Sequence, residues 1–266
     1  MNEGAASRGR QADTRYSEGL LQTLDLAYGP GFMSPGGPEA LARIVAGLDL
    51  SGRTVLDIGC GLGGMDRILA ETYGCRVIGF DVEPVLIERG RARIAEAGLE
   101  ARVDLRLVVP GPLPLADASV DVVFSKESWL FIEDKPAHIA EVFRVLRPGG
   151  DLAASDWMGS GGPPGPGLLH CYEVRGAPYR LETPEDYRAL LGDGGFAEVR
   201  ITDTTAEAAA AQRDVHERLS GPLSTRLTGL LGGADAARWI ELSRAIAATL
   251  DKREMLSGSL RARKPP

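Results

Sequence analysis

Hydrophobic positions change their spacing repeatedly along the middle of this chain, and each change predicts a new element. Thr54–Ile58 is a short apolar, β-branched run that ends at glycines, which is the pattern of a buried strand. Residues 64–73 then show apolar positions at helical spacing. The same patterns predict further strands at 76–81, 103–109, 120–124, 152–156 and 197–201, and further helices at 84–97, 135–146 and after Thr183. This alternation predicts a mostly parallel, doubly wound α/β sheet.

The regions on either side of this alternation show different patterns. Residues 1–13 are small, polar and aperiodic, which predicts a disordered tail. The sequence YGPG interrupts the helical pattern near the N-terminus, and SGGPPGP marks a loop in the second half of the chain. We therefore expect a single domain that consists of N-terminal helices at 14–50, a sheet core at 51–157, a loop at 158–182, and residues 183–266, which complete the core and add C-terminal helices.

Composition and charge narrow the function classes. The 266 residues include 30 Lys and Arg against 37 Asp and Glu, so the formal charge is −7 and no basic stripe indicates nucleic-acid binding. No apolar run approaches the ~18–20 residues of a membrane span, and the N-terminus lacks the apolar region of a signal peptide. Cys60, Cys75 and Cys171 show no metal-ligand spacing, so no metal site is predicted. We expect a cytoplasmic monomer or homodimer that binds neither nucleic acids nor membranes.

The turn after the first predicted strand carries the strongest candidate chemistry. Its sequence is DIGCGLGG at 57–64. In a doubly wound sheet the ligand lies at the carboxyl ends of the strands, and glycines let the backbone approach an adenosine-bearing ligand closely. Gly59, Gly61 and Gly64 also satisfy the pattern G-x-G-x-x-G. The glycines alone therefore leave both a nicotinamide dinucleotide and S-adenosylmethionine open.

Two acidic residues favour the second ligand. Asp57, two residues before the first glycine, would repel a pyrophosphate but could bind a ligand with a cationic amino group. The alternative for Asp57 is a structural role as a turn cap. Asp81 closes the second predicted strand, where a carboxylate can accept both hydroxyls of a ribose.

Four motifs in this order resemble the class I S-adenosylmethionine-dependent methyltransferases. They are VLDIGCGLGG, VIGFDVEP, LPLADASVDVVFS and VLRPGGDLAASDW, and they span about residues 54–157. A narrower resemblance, to the phosphoethanolamine N-methyltransferases and their bacterial relatives, rests on YGPGFMSPGG, SKESWLFIEDKPAHI and YRLETPEDY. The resemblance implies a Rossmann-like methyltransferase sheet with an N-terminal helical lid at 14–50, an acceptor cap at 158–182 and a C-terminal helical cap. It also implies that S-adenosyl-L-methionine is the cofactor and S-adenosyl-L-homocysteine the product.

Family residues carry over to matching positions of this chain. Tyr16 would cover the active site and orient the acceptor amine, and Asp81 would hold the ribose. Val109 replaces the aspartate expected at the adenine amine, so adenine recognition would fall to the backbone of Val109 and Pro110. The complete predicted cofactor site is Met33, Ser34, Asp57, Gly59, Gly61, Asp81, Val82, Val109, Pro110, Ser125 and Lys126.

Other positions depart from the family pattern. Phe131 stands where a histidine would pair with the lid tyrosine. The arginine and tyrosine that grip the acceptor's phosphate appear as Ala177 and Glu173, and only Tyr179 of that cluster is kept. Loss of a guanidinium removes a bidentate phosphate contact, and Glu173 would repel phosphate. We therefore expect an acceptor other than phosphoethanolamine.

Acceptor contacts are predicted near the end of the fourth strand and in the cap. Glu127 follows that strand and could hold a cationic amine, or form a salt bridge to a neighbouring helix instead. Trp129, Phe131 and Trp157 could form an aromatic wall for a flat or cationic acceptor. Core packing is the alternative for all three and is favoured for Phe131. The predicted catalytic residues are Tyr16 and Glu127, and the predicted substrate-binding residues are Trp129, Trp157, His170 and Tyr179.

The resulting hypothesis is methyl transfer from S-adenosylmethionine to a small-molecule acceptor, with an amine nitrogen as the predicted target. One alternative keeps the cofactor and moves the methyl group to an oxygen or carbon of a specialised metabolite. A second alternative is a regulator that binds the cofactor without catalysis. A nicotinamide enzyme is the least favoured, because it would not be expected to carry LRPGG before its fifth strand.

Overall fold

A computed structural model describes residues 16–266, so the predicted tail at 1–13 lies outside the described residues. The strands are β1 Thr54–Ile58, β2 Arg76–Asp81, β3 Val103–Leu107, β4 Val120–Lys126, β5 Leu146–Gly159, β6 Ala197–Asp203 and β7 Met255–Arg263. The helices are α1 Glu18–Tyr28, α2 Gly37–Ile44, α3 Gly64–Tyr73, α4 Pro84–Glu96, α5 Lys135–Val145, α6 Pro166–Arg175, α7 Pro184–Asp193, α8 Thr205–Ser220, α9 Ser224–Leu231 and α10 Gly233–Asp251. None of these helices is long and apolar enough to cross a membrane.

The strands form one seven-stranded sheet in the order β3-β2-β1-β4-β5-β7-β6. The first five strands are parallel, and β7 runs antiparallel to both of its neighbours. Successive side chains of a strand point to opposite faces, so β1 supplies Leu56 to one hydrophobic core and Val55 to the other. Both faces of the central strands are therefore covered, which explains their nearly continuous apolar sequences. The predicted doubly wound, mostly parallel sheet is confirmed.

The C-terminal strand β7 corrects the predicted helical C-terminus. Its sequence MLSGSLRAR is rich in serine, glycine and arginine, which hides its strand character. The pairing shows it: β7 lies between β5 and β6, with Leu260 opposite Ala154. The basic residues near the end are part of this arrangement, since Lys264 Nζ donates to the backbone oxygens of Phe143 and Leu146 at 2.7 and 2.8 Å. The basic C-terminal residues therefore belong to, or directly follow, a strand inside the sheet.

Helix α6 corrects the predicted loop at 158–182. It begins at Pro166, where the fixed backbone angle of proline suits a first helical turn, and ends at Gly176 in a left-handed conformation. Leu168 and Cys171 are buried in a cluster that includes residues of α10. The glycine- and proline-rich start of the segment obscured these helix boundaries in the sequence.

The N-terminal helices are fixed to the sheet by the turn between them. The Gly31 backbone N–H donates to Asp25 Oδ1 at 2.9 Å, and Arg93 of α4 pairs with the same carboxylate. The Gly31 oxygen accepts a hydrogen bond from the Gly64 N–H at 3.2 Å. The YGPG turn is thereby held against the glycine turn that follows β1.

Candidate functional site

The glycine turn after β1 is built for close approach by neighbouring groups. The Gly59 N–H donates to the Phe80 oxygen at 2.8 Å, which ties the turn to β2. Gly59 and Gly61 have φ angles of +84° and +56°, which favour glycine. A Cβ on Gly59 would lie 2.4 Å from the Ser128 Cβ, and one on Gly61 would lie 2.5 Å from the Met33 Cγ. A side chain at either position would therefore collide with a neighbour, and Met33, a predicted cofactor residue, lies against the turn.

Asp81 lies at the carboxyl end of β2, beside this turn. Its Oδ2 accepts a hydrogen bond from the Gly61 N–H at 2.9 Å, and its Oδ1 accepts one from the Glu83 N–H at 3.0 Å. Beyond it, the side chains of Val82 and Val109 are 46% and 80% exposed. A carboxylate next to exposed apolar side chains at the ends of β2 and β3 suits a ribose and the adenine ring attached to it.

Asp57 and Asp66 form a buried acidic pair below the turn. The Asp57 Oδ1 and both carboxyl oxygens of Asp66 have no hydrogen-bond partner among the described residues. Burial is the main cause that raises the pKa of both carboxyls, and each is also affected by the other. Asp66 was not predicted as a site residue. The available signal was its position on the buried face of α3, three residues before Leu69.

A cavity of about 330 Å³ opens between this pair and the YGPG-containing segment. Gly31, Phe32, Met33, Ser34, Asp57, Gly59, Cys60, Met65, Phe124 and Lys126 line it. Asp57 lines this cavity and has an oxygen without a partner, and a cationic amino group is the partner that a buried carboxylate lacks. The residues present therefore fit S-adenosylmethionine, with its amino acid end near Asp57 and its ribose near Asp81.

The end of β4 provides a hydroxyl and an ion pair. Ser125 Oγ donates to the Ile58 oxygen at 2.8 Å and lies 2.7 Å from Ser128 Oγ, so it fixes the glycine turn. Lys126 Nζ donates to Ser34 Oγ at 2.5 Å and lies 2.9 Å from Glu127 Oε1. The Lys126 and Glu127 side chains are both largely buried. The salt bridge predicted as an alternative for Glu127 is thus present, although its partner is the adjacent lysine and not a helix.

Glu127 is held in an unusual backbone conformation. Its φ angle is +54°, in the left-handed region that non-glycine residues rarely adopt, and its N–H donates to the Ser155 oxygen at 2.7 Å. Backbone strain of this kind is frequent at functional sites, where neighbouring contacts hold it in place. Here the hydrogen bond to β5 holds the Glu127 backbone in this conformation.

The Lys126–Glu127 pair lies where two cavities meet. Lys126 lines the cavity beside Asp57 described above and also a second, larger cleft. Glu127, Ser155 and Trp157 line only the second cleft. A reacting group that enters through the larger cleft would therefore reach the cofactor beside Lys126 and Glu127.

Two tyrosines share the surroundings of Glu127. Burial raises the pKa of Tyr28 and of Tyr179 above the ordinary value, and the nearby Glu127 carboxylate contributes to both shifts. Tyr179 packs edge-on against Trp157 with ring centroids 5.2 Å apart, and the Arg175 guanidinium lies 4.5 Å from the Tyr179 ring centroid. The structure therefore brings the predicted residues Trp157 and Tyr179 together. Tyr28 was missed, because its sequence neighbourhood indicates only a helix end.

The predicted aromatic wall is not formed as expected. Trp129 is 2% exposed and packs in the core with ring centroids 5.1 Å from His138 and 6.3 Å from Tyr187. Phe131, for which core packing was favoured, is 52% exposed and lies 5.6 Å from Arg175. Both residues belong to a 3-10 turn, in which Trp129 lies in the core and Phe131 at the surface. Trp157 is thus the one member of the predicted wall that lines the cleft among the described residues.

The two remaining predicted residues lie in peripheral positions. His170 is on α6, where its Nε2 lies 2.6 Å from Glu241 Oε1 on α10. This contact gives His170 a role in fastening the cap, and it does not line either cavity. Tyr16 is half-buried and packs on the same apolar cluster as Met33, next to Leu21 and Leu62.

Comparison with known proteins agrees with the site geometry. Residues 56–154 match a family model described as a methyltransferase domain. The chain is 34% identical over 190 residues to phosphoethanolamine N-methyltransferase 1 of Triticum aestivum, an alignment that covers 71% of this chain and 37% of the relative. It is 32% identical over 187 residues to sarcosine/dimethylglycine N-methyltransferase of Halorhodospira halochloris, covering 70% of this chain and 65% of the relative. The chain spans less than two thirds of the length of each.

A solved structure extends the similarity to the whole fold. Phosphoethanolamine N-methyltransferase 2 of Haemonchus contortus, in complex with S-adenosyl-L-methionine, superposes with a TM-score of 0.86. The superposition covers 96% of this chain and 59% of that chain at 22% sequence identity. At this identity the likeness shows the fold alone. Together with the matched domain, it shows that this chain contains a methyltransferase domain and has the fold of the class I S-adenosylmethionine-dependent methyltransferases, with similarity to the phosphoethanolamine N-methyltransferases.

Proposed function

We propose that this protein transfers a methyl group from S-adenosylmethionine to an amine nitrogen of a small molecule and releases S-adenosylhomocysteine. The observation that carries the proposal is the position of Glu127. Its carboxylate lines the larger cleft next to Lys126, which also lines the cavity beside Asp57. An anionic group at the point where the acceptor meets the cofactor suits an amine, which arrives as a cation at neutral pH.

The first task of the chain is to bind and orient the cofactor. Asp57 would attract its cationic amino group, Asp81 would accept from its ribose, and Ser34 and Lys126 would lie near its methionine part. The cofactor, when bound, supplies a methyl group that its sulfonium makes electrophilic. The protein then contributes closeness, alignment and exclusion of water.

The second task is to present a neutral amine. In the proposed mechanism the Glu127 carboxylate holds the incoming ammonium group and accepts its proton, because only the neutral nitrogen has a lone pair for attack. Lys126 stays fixed by its hydrogen bond to Ser34 when Glu127 turns to the acceptor. Tyr16, on the apolar cluster that includes Met33, would cover the site and help to orient the amine.

The similar proteins support this choice of acceptor. The relatives from Triticum aestivum and Halorhodospira halochloris are both named as N-methyltransferases, one for phosphoethanolamine and one for sarcosine and dimethylglycine. Their named substrates differ, but each contains an amine. Nitrogen methylation is therefore the common feature that we carry over as a proposal.

A labelled-cofactor assay tests the proposal. Purified protein is incubated with S-adenosylmethionine that carries a labelled methyl group and with a panel of small amines, phenols and carboxylic acids. We expect label on an amine nitrogen. Glu127→Gln should lower kcat/KM about 100-fold or more, the usual contribution of a positioned acid or base. Its affinity for S-adenosylhomocysteine, measured by calorimetry, should stay within about twofold of the original.

Glu133→Gln is the matched control, because Glu133 lies on the same segment but is exposed and pairs with Arg180. It should leave turnover unchanged. Failure of the protein to bind either form of the cofactor would overturn the proposal completely. Label found only on oxygen or carbon would retain the methyltransferase and reject the amine.

A further inference from the structure

The larger cleft extends well beyond the reaction centre. From Glu127 it runs across the surface of β5 and β7 and passes between α2 and α8. Its lining residues come from α2, β4, β5, α8, α10 and β7, so the cleft continues away from Glu127. A compact amino acid or phosphoamine at Glu127 would contact only part of this lining.

One wall of the cleft is polar but uncharged. Ser155 of β5 lies opposite Ser259 of β7 in the sheet register, and both side chains line the cleft. Neither hydroxyl makes a hydrogen bond with a described residue, so both are available to a ligand. Gln212 of α8 is buried, lines the same cleft and likewise has no side-chain hydrogen bond within residues 16–266. These three side chains therefore offer polar groups to a ligand in the cleft.

The opposite wall is apolar. Ala40 and Ile44 of α2, Ala208 and Ala211 of α8, and Leu250 of α10 form it. Small alanine side chains on both helices leave the space open. Contact with these side chains would remove the surface of an apolar ligand from water, which stabilises binding in proportion to the area buried.

Four charged residues line the cleft, two of each sign. Lys126 Nζ and Glu127 Oε1 are 2.9 Å apart and form an ion pair. The other two, Arg43 and Glu207, are exposed to solvent. An anionic acceptor body such as a phosphate would therefore find no excess of positive charge in the lining to compensate for its lost hydration, which is costly.

We propose that the methyl acceptor is an elongated amine whose mostly apolar body carries hydroxyl or carbonyl groups. The inference rests on the proposed function, since it places the amine at Glu127. The apolar body then lies against α2 and α8. Its hydroxyl or carbonyl groups face Ser155, Ser259 and Gln212.

Binding of a homologous amine series tests the length and polarity of the site. Butylamine, hexylamine and octylamine are titrated into the protein saturated with S-adenosylhomocysteine, and the affinity is measured by calorimetry. Burial of each added methylene should tighten binding about fourfold while the chain still lies within the cleft. Phosphoethanolamine should bind more weakly than butylamine. Equal affinity across the series, or tighter binding of phosphoethanolamine, would overturn the inference.

Two tryptophan substitutions on α8 locate the binding surface. Ala211→Trp places an indole in the cleft and should weaken octylamine binding at least tenfold, with little effect on butylamine. Ala210 is exposed on the same helix and does not line the cleft, so Ala210→Trp should leave the series unchanged. Both variants should retain S-adenosylhomocysteine binding, which confirms that they are folded. An equal effect of both variants would reject the cleft as the site.

The outcome separates the two proposals. If the amines bind with the expected dependence on length but gain no methyl group from S-adenosylmethionine, the proposed function fails and the cleft assignment stands. If short amines are methylated without any gain from added length, the function stands and the elongated acceptor is wrong.

Discussion

Asp156 offers a quantitative test of the electrostatics beneath the site. Its side chain is buried at the end of β5, where Oδ2 accepts a hydrogen bond from the Tyr187 hydroxyl at 2.5 Å. Its Oδ1 has no partner among the described residues. Burial raises the pKa of Asp156 from 3.8 to about 7, against the opposing effect of the Tyr187 hydrogen bond. Replacement by asparagine keeps the shape and removes the charge.

The sign of the effect follows from proton binding. Because the carboxyl has a higher pKa in the folded protein, the folded state holds a proton between about pH 4 and pH 7 that the unfolded state has released. Stability therefore falls as pH rises through this window and levels off above it. At 1.36 kcal/mol per pH unit, the shift from 3.8 to about 7 corresponds to about 4 kcal/mol of lost stability at pH 8.

Urea unfolding of the original protein and Asp156→Asn at pH 5, 6, 7 and 8 measures this difference. We expect the variant to gain relative stability by up to ~1.4 kcal/mol per pH unit from pH 5 to pH 7, with little further gain at pH 8. Any cost of an unpaired amide nitrogen in the variant is the same at every pH. The exposed Asp193→Asn serves as the control. A difference that stays constant from pH 5 to pH 8 would refute the reasoning.

Three other tests concern the cofactor turn, the acidic pair below it and the core. Gly61→Ala should weaken S-adenosylhomocysteine binding at least tenfold in calorimetry, because its Cβ would lie 2.5 Å from a methionine side chain, whereas Gly52→Ala, in open space, should keep full affinity. Asp66→Asn removes the carboxyl beside Asp57, which would bind the cofactor's amino group. The pKa of Asp57 should fall, so S-adenosylmethionine affinity should be lost only at a lower pH than in the original protein. An unchanged pH profile would contradict the pairing. Trp129→Ala should cost about 3–5 kcal/mol of unfolding free energy and Phe131→Ala under about 1, and the reverse order would contradict their placement.

The sheet was largely predictable from the sequence, because its central strands are buried on both faces. Such strands must be short apolar runs, and β1 and β2 were predicted with the bounds that the structure has. Strand β7 was not predictable in this way. Its serines and glycine have low strand propensity, and it is a strand because β5 and β6 supply the pairing on both sides. Its neighbours are distant in sequence, so no local pattern indicates them.

The cofactor turn was predictable for a similar reason. Close approach of a ligand to the backbone requires glycines at 59 and 61, and its amino group and ribose require acids at 57 and 81. These requirements act on single positions near the strand ends and are therefore visible in the sequence. The acceptor side depends on tertiary structure instead. After β4 the chain passes through Glu127 in a left-handed conformation and then forms a 3-10 turn at Trp129–Phe131. In this turn Trp129 is buried and Phe131 is exposed, which the local sequence does not indicate.

The larger cleft was hidden from sequence reasoning altogether. Its walls come from α2, β5, β7 and α8, which lie far apart in the sequence. One of them, β7, was predicted as part of the C-terminal helices. Single alanines and serines carry no signal until packing places them across one space. The position of Asp66, the acidic partner of Asp57, was hidden for a related reason. A single acid in a helix usually indicates solvent exposure, and only the structure shows that Asp66 lies on the buried face of α3.

The central claim is that Glu127 presents an amine to a methyl group bound beside Lys126. Its most direct test is nuclear magnetic resonance of the product formed from octylamine and S-adenosylmethionine with a ¹³C-labelled methyl group. We expect a labelled N-methyl carbon and an equal amount of S-adenosylhomocysteine. In Glu127→Gln the rate at which labelled product forms should fall about 100-fold or more. Undiminished label transfer in that variant, or no labelled nitrogen product from the original protein, would contradict it.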